Sequence, residues 1–90
     1  MRKSKSPVES ILGISAAEAV ELLANLTDRE RQIADRMATG DKNKNIAESL
    51  GISTKTLDIH RTNVKRKLKA NGPVDIARIV FAKKFGEHLD

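Results

Sequence analysis

Stop signals cut this 90-residue chain into short pieces, each no longer than a small helix. Gly40, Gly51 and the run Asn71-Gly72-Pro73 each interrupt the chain where an apolar pattern ends. Start signals stand opposite them. Ser15-Ala-Ala-Glu18 and Thr27-Asp-Arg-Glu30 both have the capping-box form, a hydroxyl at the N-cap and a glutamate three residues on. Ser53 is a good N-cap, Pro73 suits a first helical turn, and Asp75 suits the positive end of the same helix. Between these marks the apolar residues recur at helical spacing: Ala16, Ala19, Val20 and Leu23; Ile33, Ala34, Met37 and Ala38; Ile46, Ala47 and Leu50. Strand-like alternation is absent from the sequence. The pattern predicts an all-α chain, a short helical bundle with helices over about 15–25, 27–39, 43–50, 53–69 and 73–85. Residues 1–13 read as a disordered basic tail, 14–25 as a linker or accessory helix, and 26–90 as the main domain.

Composition narrows the chemistry. With 39% apolar residues and no Trp or Tyr, the core must be aliphatic. There is no cysteine, which excludes disulfides and thiolate metal sites and fits a reducing, cytoplasmic setting. No apolar run approaches the ~18 residues of a membrane span, and none follows the basic start as a secretory signal would require. His60 and His88 lack paired spacing, so no metal is expected. Ser53, Asp58 and His60 share one helix but point in different directions, so they form no catalytic set, and neither an enzyme nor a cofactor is indicated.

The charge is informative in its placement. The net charge is +5, yet residues 1–41 hold six Lys/Arg against seven Asp/Glu, and residues 70–90 hold three of each. Residues 42–69 hold eight basic residues against two acids, Glu48 and Asp58. Such clustering is the footprint of a polyanion binder; a solvated basic face is the alternative. On a wheel of ~100° per residue, Val64 and Leu68 fall within about 20° of Leu57, which defines the inner face of helix 53–69. Lys55, Ile59, Thr62 and Arg66 fall opposite, with Asp58 and Lys69 at the edge. Ile59 is thus an apolar side chain at the centre of a cationic surface. A helix laid in the DNA major groove needs cations for phosphates and short side chains for base edges, where the thymine methyl is an apolar target. Helix 43–50, the turn Gly-Ile-Ser and helix 53–69 have the form of a helix-turn-helix.

The run "LTDRERQIADRMATGDKNKNIAESLGISTKTLDIHRTNVKRKL", residues 26–68, resembles the LuxR/FixJ (GerE-type) DNA-binding domain. That family's pattern runs Leu-Thr-x-Arg-Glu, Gly, Asn-Lys-x-Ile-Ala-x-x-Leu, and then Ser-x-x-Thr-Val-x-x-His-x-x-x-Ile-x-x-Lys-Leu. Asn43, Lys44, Ser53, Thr56 and His60 match it, while Leu57 and Val64 replace the family's Val and Ile. The resemblance implies a tetrahelical LuxR-type domain with an extra N-terminal helix, binding double-stranded DNA as a transcriptional regulator of the response-regulator branch. It implies base-reading positions at Asp58, Ile59 and Thr62, and phosphate contacts by Asn43, Lys44, Ser53 and Thr56, to which the charge map adds Lys55, Arg61, Lys65 and Arg66. Asp58 departs from many relatives, which have Lys or Glu there. The last helix, by the same resemblance, makes a homodimer on DNA through Val74, Ala77, Val80 and Phe81, and RNA polymerase is a further partner to consider.

Two rival functions remain open from the sequence: a promoter-binding module like sigma-factor region 4, and a helical adaptor that offers its basic face to an acidic protein. Some residues are ambiguous as well. Arg61 falls near the inner face, where it either reaches a phosphate or pairs with Glu30. Lys83 and Lys84 suit the end of the last helix. Arg2, Lys3 and Lys5 are either a DNA-reaching arm or a soluble tail.

Overall fold

A computed structural model describes residues 12–89, with side chains described through Gly86. The described residues form five helices: α1 (Ala16–Leu23), α2 (Asp28–Ala38), α3 (Asn43–Leu50), α4 (Thr54–Leu68) and α5 (Pro73–Leu89). Their starts follow the capping chemistry. Thr27 Oγ1 accepts from the Glu30 N–H at 3.1 Å, and Glu30 Oε1 accepts from the Thr27 N–H at 2.9 Å, a complete capping box. At Ser15 only the hydroxyl half forms, accepting from the Glu18 N–H at 3.1 Å. Ser53 Oγ accepts from the Thr56 N–H at 3.0 Å.

Three helices end in the same way. The Asp41 N–H donates to the Arg36 carbonyl, the Ile52 N–H to Ala47, and the Ala70 N–H to Lys65; the residue before each donor is left-handed. This is the Schellman closure, which satisfies carbonyls that the helix leaves open. Gly40 (φ 81°) and Gly51 (φ 67°) take the left-handed position in two of them, and Lys69 (φ 55°) takes it in the third.

The core is aliphatic, as the composition requires. It joins Ala19 and Leu23 of α1, Ile33, Ala34 and Met37 of α2, Ile46 and Ala47 of α3, Leu57, Val64 and Leu68 of α4, and Ile76, Ile79, Val80 and Ala82 of α5. Helix α5 is the backbone of the bundle, with α1 and α2 packed along it; α4 leans on α2, and α3 on α4. At Gly86 a side chain would overlap the Cβ of Ala16, so the α1–α5 approach depends on glycine there.

Three expectations change. Leu12, placed by the sequence in a disordered tail over 1–13, packs against the core, as does Ile14, while residues 1–11, including Arg2, Lys3 and Lys5, lie outside the described residues. Helix α5 runs to Leu89 rather than 85, so Lys83 and Lys84 are not in its last turn. His88 has no described side chain. Val80, expected at a dimer surface, is 3% exposed and belongs to the core. The reason is geometric: Ile76, Ile79 and Val80 share the face of α5 that meets α1 and α2, and Val74, Ala77 and Phe81 lie around the other side.

Candidate nucleic-acid interface

The α3–turn–α4 unit is held by polar ties that leave one face of α4 free. Arg36, near the end of α2, binds both Asp41 in the turn and Ser49 Oγ, the latter at 2.6 Å. Arg29 donates to the Leu50 carbonyl at 3.4 Å, at the end of α3. Arg61 of α4 donates to the side-chain oxygen of Asn43, the first residue of α3, so the two helices of the motif are joined at that end as well. Lys67 Nζ donates to Glu30 Oε1 at 2.7 Å, fixing the last turn of α4 to the start of α2.

That last tie resolves the ambiguity over Glu30: its partner is Lys67, not Arg61. Glu30 is buried, yet its carboxyl is held below the usual glutamate value. The bond from Lys67 is the main cause, followed by the bond from the Thr27 backbone, and together they outweigh the desolvation that would raise it. Lys67 is thereby spent on the scaffold, and the basic surface is carried by the other cations of the segment.

On the far side of α4 from Leu57, Val64 and Leu68, the side chains of Lys55, Ile59, Thr62 and Arg66 are exposed, and Asp58 is exposed at the edge of that face. Ile59 stands out at 58%. The Thr62 hydroxyl donates to the Asp58 carbonyl at 2.9 Å, and Arg66 to Asn63 Oδ1 at 3.4 Å. Lys42 and Lys44 are exposed at the start of α3, and Lys65 is half-buried on α4. The Ser53 and Thr56 hydroxyls are bonded to one another at 3.0 Å at the start of α4. Lys55, Asp58, Ile59, Thr62 and Arg66 therefore lie together on the exposed side of α4, while Asn43 and Arg61, expected as separate contacts, come together as a pair.

A second exposed strip runs along α5. Val74 is 76% and Phe85 46% exposed, Ala77 and Phe81 are half-buried, and the rings of Phe81 and Phe85 lie 5.6 Å apart, tilted by 31°. Phe85 was not among the expected interface residues. Its spacing of four from Phe81 and eleven from Val74 was the available signal. None of the helices among the described residues is long and apolar enough to cross a membrane.

Comparison with known proteins agrees with this geometry. Residues 24–80 match the family model for bacterial regulatory proteins of the luxR family. The chain is 46% identical over 56 residues to the transcriptional regulatory protein UhpA of Escherichia coli (strain K12), covering 62% of this chain and 29% of that protein. It is 41% identical over 64 residues to the transcriptional regulatory protein FixJ of Rhizobium meliloti (strain 1021), covering 71% and 31%. The crystal structure of full-length FixJ from B. japonicum superposes with a TM-score of 0.71 at 29% identity, covering 89% of this chain and 39% of that one. The chain thus spans about a third of the length of the curated relatives it matches. With its helix-turn-helix in place and the family match running through both of its helices, this chain belongs to the luxR family of bacterial regulatory proteins and carries that family's DNA-binding domain.

Proposed function

We propose that the protein binds duplex DNA with α4 in the major groove and α3 across the neighbouring backbone, and that it regulates transcription at the sites it selects. The observation that carries this is the outer face of α4: an isoleucine 58% exposed, set among exposed polar side chains with cations at both ends. Lys55 and Arg66 lie about 16 Å apart along the helix axis, so they bracket a groove about 12 Å wide. Asp58, Ile59 and Thr62 fall between them, opposite base edges. Lys44, Lys55, Lys65 and Arg66 meet phosphates, supported by the hydroxyls of Ser53 and Thr56. Arg61 serves with Asn43; a guanidinium has five N–H donors, enough to hold the asparagine and a phosphate together.

Two copies pair on DNA through Val74, Ala77, Phe81 and Phe85 of α5. A two-fold pair sets its recognition helices roughly 34–36 Å apart, which asks for an inverted repeat with half-sites about 10 bp apart. A strip on one helix is small, so pairing forms when DNA raises the local concentration. Bound there, the protein alters the access of RNA polymerase. The regulatory names of the UhpA and FixJ relatives support this reading.

Anisotropy titrations across a salt series test it. Log affinity falls steeply with log salt, and Lys44→Ala and Lys65→Ala each flatten that slope by about one unit while weakening all sequences alike. An affinity indifferent to salt overturns the proposal.

A further inference from the structure

Asp58 is the only acid on α4, and it stands on the face proposed to enter the groove. Its natural helical partner is Arg61, three residues on, but Arg61 is bound to Asn43 instead. Lys55, three residues before, is in none of the ion pairs among the described residues. Among the described residues the acids that do form ion pairs are Glu30, Asp35, Asp41 and Asp75. The Asp58 carboxylate is therefore exposed and unpaired, while its own backbone carbonyl takes the Thr62 hydroxyl at 2.9 Å and fixes that neighbour. We infer that Asp58 is a specificity-determining residue that selects cytosine in each half-site. The inference rests on the proposed placement of α4 in the groove.

A carboxylate only accepts hydrogen bonds. Placed against phosphates it is repelled, and against guanine N7 and O6 or thymine O4 it meets acceptors. The major groove holds two donors, the N4 amino group of cytosine and the N6 amino group of adenine. The adenine amino group lies between two acceptors, its own N7 and O4 of the paired thymine. The cytosine amino group has one such neighbour, O6 of the paired guanine. Cytosine is thus the base that Asp58 meets with the least repulsion. Ile59, beside it, reads a thymine methyl in the same half-site.

The test is selection of bound sequences from a random duplex pool by the full chain and by Asp58→Ala and Asp58→Asn, followed by titration of the best site with one cytosine replaced by N4-methylcytosine. That base puts a methyl group where the groove-facing amino hydrogen stands, and it leaves the protein untouched. Expected for the parent is one cytosine per half-site, favoured about tenfold over other bases, with a comparable loss on N4-methylation. Asp58→Ala flattens preference at that position only, binds random duplex more tightly for want of a negative charge, and ignores the methylation. Asp58→Asn, which both donates and accepts, moves the preference to adenine. A parent with a defined site whose base preferences survive Asp58→Ala unchanged overturns the assignment and leaves the groove placement standing. A parent that selects no sequence overturns both.

Discussion

Helices α4 and α5 both turn a face to solvent, and the two faces are opposites. On α4 the exposed positions include Lys55, Asp58, Thr62 and Arg66, with a single branched apolar residue, Ile59, among them. On α5 they include Val74 and Phe85, with Phe81 stacked beside the latter. The first surface suits a polyanion that also has methyl groups to offer. The second suits another apolar surface. The inner faces differ too. Helix α4 meets the core at three buried positions and is held in addition by the Lys67–Glu30 bond, whereas α5 is held by a broad buried face of Ile76, Ile79, Val80, Ala82 and Gly86. Surface chemistry and mode of anchoring are thus separate variables, and substitutions can address them one at a time.

The largest effect is expected on the inner face of α5. Val80→Asp buries a carboxylate with no partner, at a cost on the order of 5 kcal/mol, comparable to the whole stability of a domain this size. Circular dichroism is expected to show an unfolded chain at 25 °C. On the outer face Val74→Asp leaves helicity and melting unchanged but abolishes cooperative binding to paired half-sites, with single half-sites still bound. A folded Val80→Asp would erase the distinction between the two faces of α5.

Next comes the anchor of α4. Glu30→Gln removes the acceptor charge that Lys67 and the Thr27 N–H address, and is expected to cost roughly 2 kcal/mol at neutral pH in urea unfolding. The sign with pH follows from the lowered pKa. Because the folded carboxyl titrates below its unfolded value, its contribution is complete above the ordinary glutamate range and is lost as pH falls through that range to the folded value. The gap between parent and Glu30→Gln therefore narrows in acid. A gap that stays constant down to the acid transition would mean that the ion pair is not its source.

A smaller effect isolates the α4 surface. Ile59→Ala is expected to cost on the order of 1 kcal/mol at the best DNA site, with little change on random duplex and no change in melting temperature. Equal losses on both DNAs, or a fall in melting temperature, would move Ile59 from the reading surface to a structural role.

The same contrast explains what was legible in the sequence. On α4 the apolar residues are few and fall on one side, apart from Ile59, so a helical wheel alone separates Leu57, Val64 and Leu68 from the outer face. The caps at Thr27 and Ser53 and the stops at Gly40 and Gly51 were equally plain, because each depends on chemistry local to three or four residues. On α5, Val74, Ile76, Ala77, Ile79, Val80 and Phe81 surround the helix, and periodicity cannot say which stripe is inside; only the packing of α1 and α2 against it decides. The pairings Lys67–Glu30 and Arg61–Asn43 link residues 37 and 18 positions apart, and no local rule chooses between Arg61 and Lys67 as the partner of a buried acid.

The junction between the two helices offers the smallest test. Of the three Schellman closures, two have glycine in the left-handed position and the one that links α4 to α5 has Lys69 at φ 55°. A side chain in that conformation is disfavoured by about 1 kcal/mol, because Cβ crowds the neighbouring carbonyl. Part of that is returned by the smaller conformational freedom of lysine in the unfolded chain. Lys69→Gly is therefore expected to stabilise the domain by about 0.5 kcal/mol, seen as a small rise in the urea midpoint at constant slope. Lys69→Ala separates backbone from charge. It removes the ammonium and keeps the crowded conformation, so it should not stabilise. At Gly51, where the closure already has its preferred residue, Gly51→Ala should run the other way and lose about 1 kcal/mol. Equal gains from Lys69→Gly and Lys69→Ala would show that relief of repulsion within the basic segment, not backbone strain, sets the stability of the α4–α5 junction.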